Sequence, residues 1–153
     1  PERALGRGGH RRARPGLRAV RRGLAAVAAA GRVVVELPDP DVTVLGNHSA
    51  LAGALSNLVH NALEHAGPGA RIQLSAIASK DQRKVVLAVE DEGPGVPEHL
   101  QQQIFEPFFT TRSNGTGLGL AIVKELTERM NGWISFDTKL GEGTCFYLHF
   151  PRR

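Results

Sequence analysis

The stretch that organises this chain of 153 residues runs from Phe105 to Val123 and reads FEPFFTTRSNGTGLGLAIV. Glycine recurs at every second position from Gly115 to Gly119, and an apolar helical pattern follows in Leu118, Ala121, Ile122 and Leu126. Glycine lets the backbone approach a ligand closely, and the first turn of a helix offers N–H groups and the positive end of a dipole. The stretch therefore predicts a flexible loop that closes over a phosphate chain and leads into a helix.

The spacing of these glycines excludes two common phosphate-binding loops. A Walker A loop needs Gly-x-x-x-x-Gly-Lys followed by Ser or Thr, and the sequence contains none. A dinucleotide fingerprint needs Gly-x-Gly-x-x-Gly, and here its third glycine would fall at Leu120 or Ile122. Taken alone, the glycine-rich turn is weak evidence, because a merely mobile loop has the same composition.

The overall composition is that of one globular domain with an aliphatic core. The length suffices to bury such a core, and only 5% of the residues are aromatic. No stretch approaches the roughly 20 apolar residues of a membrane helix, and no signal-peptide pattern opens the chain. The single cysteine, Cys145, excludes an internal disulfide. These features favour a cytoplasmic location.

Positive charge is concentrated at the start of the chain. Residues 1–22 have a net charge of +7 and the remaining residues have −3, which gives +4 for the whole chain. Such an arm could contact nucleic acid through phosphates, but it lacks the interleaved aromatic residues that stack on bases. A solvated linker is the favoured interpretation, with an irregular basic arm at residues 1–16 and the domain at residues 17–153.

The order of predicted elements defines the fold class. Hydrophobic periodicity, capping residues and turn signals predict helices at 17–30, 48–66 and 98–104 and a further helix after the glycines, with strands at 32–37, 42–45, 71–77, 84–90, 133–137 and 144–150. This order predicts an α+β two-layer sandwich, in which a mixed, mostly antiparallel sheet carries its helices on one face.

Two asparagines stand one turn apart in the first long helix. Asn57 and Asn61 therefore share a face, although asparagine is a poor helix former. Amide oxygens are hard neutral ligands that suit Mg²⁺ in a site completed by waters and phosphates. A solvated helix face explains the same pair without any ligand.

Asp91 follows a near-continuous apolar strand, just before Gly93-Pro94-Gly95. Its carboxylate could accept a hydrogen bond from an exocyclic amino group such as that of adenine, and Thr144 could donate its hydroxyl near the base. Both residues also have ordinary structural explanations, as a turn aspartate and as a threonine that opens a strand.

The order and spacing of five motifs are more specific than any one of them. They resemble the N, G1, F, G2 and G3 boxes of sensor histidine kinases over residues 32–151, and they run Asn57-Leu-Val-His-Asn61-Ala-Leu-Glu-His65, Asp91-Glu-Gly93-Pro-Gly95, Phe105-Glu-Pro-Phe-Phe109, Gly115-Thr-Gly117-Leu-Gly119-Leu and Gly143-Thr144. The resemblance implies the catalytic and ATP-binding domain of such a kinase, with the fold that it shares with gyrase and chaperone ATPases.

The same resemblance implies roles for individual residues. Asn61 would be the Mg²⁺ ligand, Asp91 would hold the adenine amino group, and Arg112 would neutralise the γ-phosphate. The lid over ATP would span about residues 96–117. The implied catalytic residues are Asn57, Asn61 and Arg112, and the implied nucleotide-binding residues are Asn57, Asn61, Glu64, His65, Asp91, Gly93, Gly95, Val96, Phe109, Thr110, Gly115, Thr116, Gly117, Leu118, Gly119, Leu120 and Thr144.

The type of reaction depends on Asn57. The gyrase and chaperone ATPases have a glutamate there that activates water, and Asn57 cannot act as a base. The resemblance therefore implies phosphoryl transfer to a neutral imidazole, carried by a separate dimerisation domain and relayed to a response regulator. No histidine of this chain precedes an acidic residue, as the acceptor histidine does. We therefore expect the chain to be a fragment that lacks the acceptor domain, such as the cytoplasmic part of a membrane-bound sensor. Two alternatives are a serine kinase of the anti-sigma type and a non-catalytic nucleotide-binding or partner-binding module.

Overall fold

A computed structural model describes residues 33–36, 47–67, 69–81, 83–111 and 115–151. Its elements, in chain order, are β1 (Val33–Glu36), α1 (His48–Ala66), β2 (Ile72–Ala78), β3 (Lys84–Asp91), one 3-10 turn (Glu98–Leu100), α2 (Gly119–Arg129), β4 (Trp133–Lys139) and β5 (Gly143–Pro151). The predicted helix at 17–30 and the predicted strand at 42–45 lie outside the described residues.

Helix α1 begins and ends where its sequence indicates. The Asn47 side chain caps it, because Oδ1 accepts hydrogen bonds from the N–H groups of Ser49 at 2.8 Å and Ala50 at 3.2 Å. Gly67 ends it with a φ of 78°, a conformation that glycine adopts without steric cost. The face that α1 buries carries Leu51, Leu55, Leu58, Val59 and Ala62.

The five described strands form one mixed sheet in the order β1-β2-β3-β5-β4. β1 pairs with β2 in parallel, and all the other pairs are antiparallel. β3 is therefore the central strand, as its apolar run indicates. The two-layer α+β sandwich predicted from the sequence is confirmed.

Both helices pack side by side on one face of the sheet. The core between the layers joins Leu55 and Leu58 of α1 and Val123 of α2 to alternate residues of β3 and β5, including Leu87 and Leu148. Among the described residues, no helix is long and apolar enough to cross a membrane.

One local prediction is wrong, and one position of the apolar pattern is exposed. The segment at 98–104 contains only one 3-10 turn, because its hydrogen bonds join residues three apart, as from Gln103 N–H to the Leu100 carbonyl, and such turns do not extend far. Ile122 is 39% exposed, whereas Val123 is buried. Consecutive helical residues point about 100° apart, so only one of the two can face the core.

The opposite face of the sheet carries a small polar and aromatic cluster. Trp133 stacks on His149 with ring centroids 4.4 Å apart, although it remains 46% exposed. His149 Nε2 lies 2.7 Å from Ser135 Oγ, and Lys84 Nζ lies 5.4 Å from the Trp133 ring. Trp133 thus packs on the sheet, on the side away from the helices.

Candidate nucleotide-binding site

Asp91 is the last residue of β3, where it pairs with Thr144 of β5. Its side chain is only 6% exposed, and Oδ1 accepts hydrogen bonds from Gly93 N–H at 2.8 Å and Thr144 N–H at 3.3 Å. Both of the bonds that described residues make to this carboxylate end on Oδ1, so Oδ2 is left to accept from a ligand. Burial raises the pKa of Asp91, and the two N–H groups and His65 oppose that shift.

Glycines make room around this carboxylate. Gly143 has a φ of 127°, and a methyl group there would come within 2.0 Å of the Asp91 carbonyl oxygen. A methyl group on Gly93 would come within 2.9 Å of Asp91 Oδ1. No side chain fits at such distances, so the glycines of two motifs are needed for the backbone to close around Asp91.

Asn57 and Asn61 are both half-buried on α1. Asn57 Nδ2 donates to the Gly53 carbonyl at 3.0 Å, which leaves its oxygen available. Within the described ranges the Asn61 side chain has no hydrogen-bond partner. The half-buried Asn61 amide is therefore available to water or to a ligand.

The donor set suits a magnesium ion that the nucleotide brings with it. In the described part of the chain, no group of three or more His, Cys, Asp and Glu residues could hold a metal by itself. An amide oxygen, phosphate oxygens and waters together form a coordination shell typical of Mg²⁺. The residues present therefore fit the ion that the sequence analysis assigned to Asn61.

The end of α1 lies beside the loop that follows Asp91. A methyl group on Gly93 would come within 3.3 Å of the His65 carbonyl oxygen, so the predicted base-binding and metal-binding motifs are neighbours in space. The His65 side chain is exposed. Glu64 Oε1 lies 3.1 Å from His60 Nε2 on the same helix.

The loop after Asp91 is held by the β4–β5 hairpin. Val96 N–H donates to Thr138 Oγ1 at 2.8 Å, and Gly141 N–H donates to the Pro94 carbonyl at 2.9 Å. Gly95 lies against the same hairpin, where a methyl group would come within 2.5 Å of the Lys139 carbonyl oxygen. Thr138 belongs to none of the predicted motifs, but it stands opposite Thr144 in the hairpin register. A threonine pair across two strands is the signal that could have identified it.

Gly117, at the end of the predicted lid, contacts Phe108 in the middle of the lid. Phe108 N–H donates to the Gly117 carbonyl at 2.8 Å, and Phe108 itself has a φ of 67° and is 76% exposed. Gly117 has a φ of 71°, and a methyl group there would come within 2.4 Å of the Phe108 backbone. Phe109 packs against the core, whereas Thr110, Gly115 and Thr116 are exposed. Arg112 lies outside the described residues.

Helix α2 starts with unsatisfied backbone donors. Leu118 N–H donates to Thr116 Oγ1 at 3.3 Å, and the helical ladder begins with Ile122 N–H and the Leu118 carbonyl. In the described chain no bond is made by the N–H groups of Gly119, Leu120 and Ala121. The first turn has no capping side chain and no acidic residue, which leaves it open to an anion.

Comparison with known proteins shows which family this chain matches. The family described as histidine kinase-, DNA gyrase B-, and HSP90-like ATPase matches residues 46–153. Sensor protein DivL of Caulobacter vibrioides is 40% identical over 119 residues, which are 78% of this chain and 15% of DivL. Sensor histidine kinase YcbM of Bacillus subtilis is 37% identical over 127 residues, which are 79% of this chain and 40% of YcbM.

Solved structures agree with the sequence relatives. The catalytic domain of histidine kinase ThkA superposes with a TM-score of 0.79 at 29% identity, covering 91% of this chain and 96% of that one. Full-length ShkA in complex with AMPPNP superposes with a TM-score of 0.77 at 28% identity, covering 91% of this chain and 30% of that one.

The chain belongs to the histidine kinase-, DNA gyrase B-, and HSP90-like ATPase family. Several of its relatives in that family are sensor histidine kinases, and its fold is that of a histidine kinase catalytic domain. The chain spans 15% and 40% of the lengths of DivL and YcbM, so it corresponds to one part of such a protein.

Proposed function

We propose that this chain binds Mg²⁺-ATP and transfers the γ-phosphoryl group to a histidine on a separate dimerisation domain, which then passes it to a response regulator. The family membership supports this proposal, as do the sensor histidine kinases among the relatives. ThkA, at 27% identity and a TM-score of 0.71, has been solved in complex with the response regulator TrrA.

The observation that carries the proposal is the buried carboxylate of Asp91. Its Oδ1 is held by two backbone N–H groups, so its Oδ2 has a fixed direction. A desolvated carboxylate gains most from a donor that replaces lost water, and the adenine N6 amino group is such a donor. Guanine has a carbonyl oxygen at the corresponding position, which would face the carboxylate with like partial charge.

The remaining residues of the site bind the phosphates and the metal ion. Asn57 lies beside the phosphates, and the N–H groups at the start of α2 bind phosphate oxygens. Magnesium, when bound, neutralises charge on the phosphates, and Asn61 is the residue of this chain that would hold it. Arg112 of the lid is the candidate cation for the transferring group.

The preference for an imidazole over water as the phosphoryl acceptor follows from the chemistry of Asn57. A carboxamide does not accept a proton from water, so hydrolysis receives no general base from this position. A neutral imidazole needs no such activation, since its ring nitrogen has a lone pair. The bond between the γ-phosphorus and the bridging oxygen breaks, a phosphorus–nitrogen bond forms, ADP leaves, and the imidazole releases its N–H proton.

A phosphotransfer assay tests this function. The chain is mixed with γ-labelled ATP, Mg²⁺ and a separately produced acceptor domain from a sensor histidine kinase. We expect label on the acceptor that is acid-labile, as phosphohistidine is, and we expect the Asn61→Ala variant to give none. Acid-stable label would indicate a serine kinase instead, and an absence of ATP binding by calorimetry would refute the proposal.

A further inference from the structure

Thr138 of β4 belongs to none of the five motifs, yet its hydroxyl joins three parts of the site. Thr138 Oγ1 accepts a hydrogen bond from Val96 N–H at 2.8 Å and lies 2.9 Å from Thr144 Oγ1 and 3.3 Å from the Gly143 carbonyl oxygen. Thr144 in turn donates its N–H to Asp91. One hydroxyl thus connects the start of the lid, the final hairpin and the base-binding carboxylate.

The proton count at this hydroxyl decides what Thr144 can do. A threonine hydroxyl has one proton and two lone pairs, and Val96 N–H already occupies one lone pair of Thr138. The Thr138 proton can go to Thr144 Oγ1 or to the Gly143 carbonyl, and the contact with Thr144 is the shorter one. When Thr138 donates to Thr144, the proton of Thr144 itself is left to donate to a ligand.

We propose that Thr138 is a positioning residue that selects adenine, by fixing Thr144 as a donor and Val96 at the start of the lid. This inference rests on the proposed function. Adenine presents its N6 amino donor next to the N1 acceptor, which matches an accepting Asp91 and a donating Thr144. Guanine presents O6 as an acceptor next to an N1–H donor, so both of its groups meet the wrong partner.

The lid side of the network is held at two points. The Val96 N–H group is held by Thr138, and the Val96 carbonyl accepts from Gln101 Nε2 at 3.1 Å. Loss of the Thr138 hydroxyl would leave a half-buried N–H without a partner and would release the first residue of the lid. The same substitution therefore affects both the choice of base and the order of the lid.

The test is a set of calorimetric titrations with non-hydrolysable ATP and GTP analogues in Mg²⁺. Thr138→Val keeps the side-chain shape and removes the hydroxyl, whereas Thr138→Ser keeps the hydroxyl. Ser135→Ala is the matched control, since it removes a hydroxyl from the opposite face of the same strand. We expect Thr138→Val to lose about 10-fold in ATP affinity and about 10-fold in preference for ATP over GTP, with Thr138→Ser and Ser135→Ala close to wild type.

Two results would overturn the inference. One is an unchanged preference for ATP in Thr138→Val, and the other is equal damage in Thr138→Ser. If Thr138→Val does not fold, hydrogen exchange in the wild type is the deciding measurement. The proposal requires the Val96 N–H to exchange slowly, because it is bonded to Thr138. Exchange of Val96 N–H at the rate of an exposed amide contradicts the proposal. Wild-type protein that binds neither analogue would count against the proposed function, whereas normal wild-type binding with an unchanged Thr138→Val counts against Thr138 alone.

Discussion

At the scale of single residues, substitution can separate the structural role of Asp91 from the adenine-binding role proposed for it. Asp91→Asn keeps an oxygen to accept from Gly93 N–H and Thr144 N–H, but it can present an amide NH₂ to the base. We expect a folded protein whose ATP affinity falls about 10- to 150-fold, the range for a hydrogen bond to a charged group. Calorimetry measures the affinity, and circular dichroism verifies the fold. Unchanged affinity would remove Asp91 from the site.

The burial of Asp91 also makes a prediction about pH. Its pKa is raised in the folded state, chiefly by loss of hydration, so the folded protein binds a proton more readily than the unfolded chain does. The ionised carboxylate therefore costs stability at neutral pH, and this cost disappears as the pH falls through the raised pKa towards the unfolded value of about 3.9. In urea titrations from pH 7 to pH 4, the free energy of unfolding of the wild type should rise relative to that of Asp91→Asn. A difference between the two free energies that does not change with pH would contradict the raised pKa.

The sequence was sufficient to propose most of the candidate site residues, but it did not indicate their hydrogen-bond partners. Asn57, Asn61, Asp91 and Thr144 each belong to a motif with regular spacing, and spacing along a helix or strand already fixes which residues share a face. Thr138 has no such motif, because its role comes from the register of β4 against β5. Register depends on the whole hairpin and is not encoded near one residue.

At the scale of elements, the junction between the lid and α2 depends on one glycine and not on its neighbour. Gly117 has a positive φ and lies against the Phe108 backbone, whereas nothing lies within 4 Å of where a Gly119 side chain would start. We expect Gly117→Ala to destabilise this junction by at least about 1–2 kcal/mol. Gly119→Ala, the matched control, should raise the thermal stability by about 0.5–1 kcal/mol through helix propensity. Thermal unfolding of the two variants measures both effects, and equal changes would exclude the contact with Phe108.

The cluster on the outer face of the sheet predicts a second pH effect. Burial, and then the charge of Lys84, lower the pKa of His149. The neutral ring therefore stabilises the fold above the unfolded pKa of about 6.5, and this contribution is lost as the pH falls through the lowered folded pKa. Trp133 is the single tryptophan of the chain and stacks on His149, so its fluorescence reports the change directly. His149→Gln should flatten that acid transition; the same transition in the variant would assign it to another group.

The elements show where sequence patterns are sufficient and where they are not. The strands β3 and β5 and the capped helix α1 were predicted to within one residue at each end. Helix α1 has a strong period with clear start and stop signals, and the two strands are apolar runs bounded by turn residues. The prediction of a helix at 98–104 was wrong, because a short polar segment with the same sequence pattern can form a turn whose hydrogen bonds join residues three apart. The apolar pattern of α2 did not indicate that Val123 is buried and Ile122 exposed, because in a short helix the packed face is chosen by tertiary contacts.

At the scale of the whole molecule, the residues of the candidate site come together because β3 lies between β2 and β5. This order brings Thr144 opposite Asp91 and puts the end of α1 beside the same strand end. The sequence predicted the sandwich and a mixed, mostly antiparallel sheet, but not the order of its strands. Strand order is set by long-range pairing, which leaves little trace in local patterns.

The uneven charge of the chain leads to the last prediction, on the division between residues 1–16 and the domain at 17–153. Removal of residues 1–16 deletes five arginines and one glutamate and brings the net charge from +4 to zero. Because no predicted nucleotide ligand lies in this arm, we expect ATP affinity and melting temperature to stay unchanged. Any binding to duplex DNA at low salt should disappear, since such binding depends on cations that neutralise phosphates. Calorimetry and a gel-shift series at increasing salt measure the two properties on the same preparation, and a large loss of ATP affinity would extend the nucleotide-binding domain into the arm.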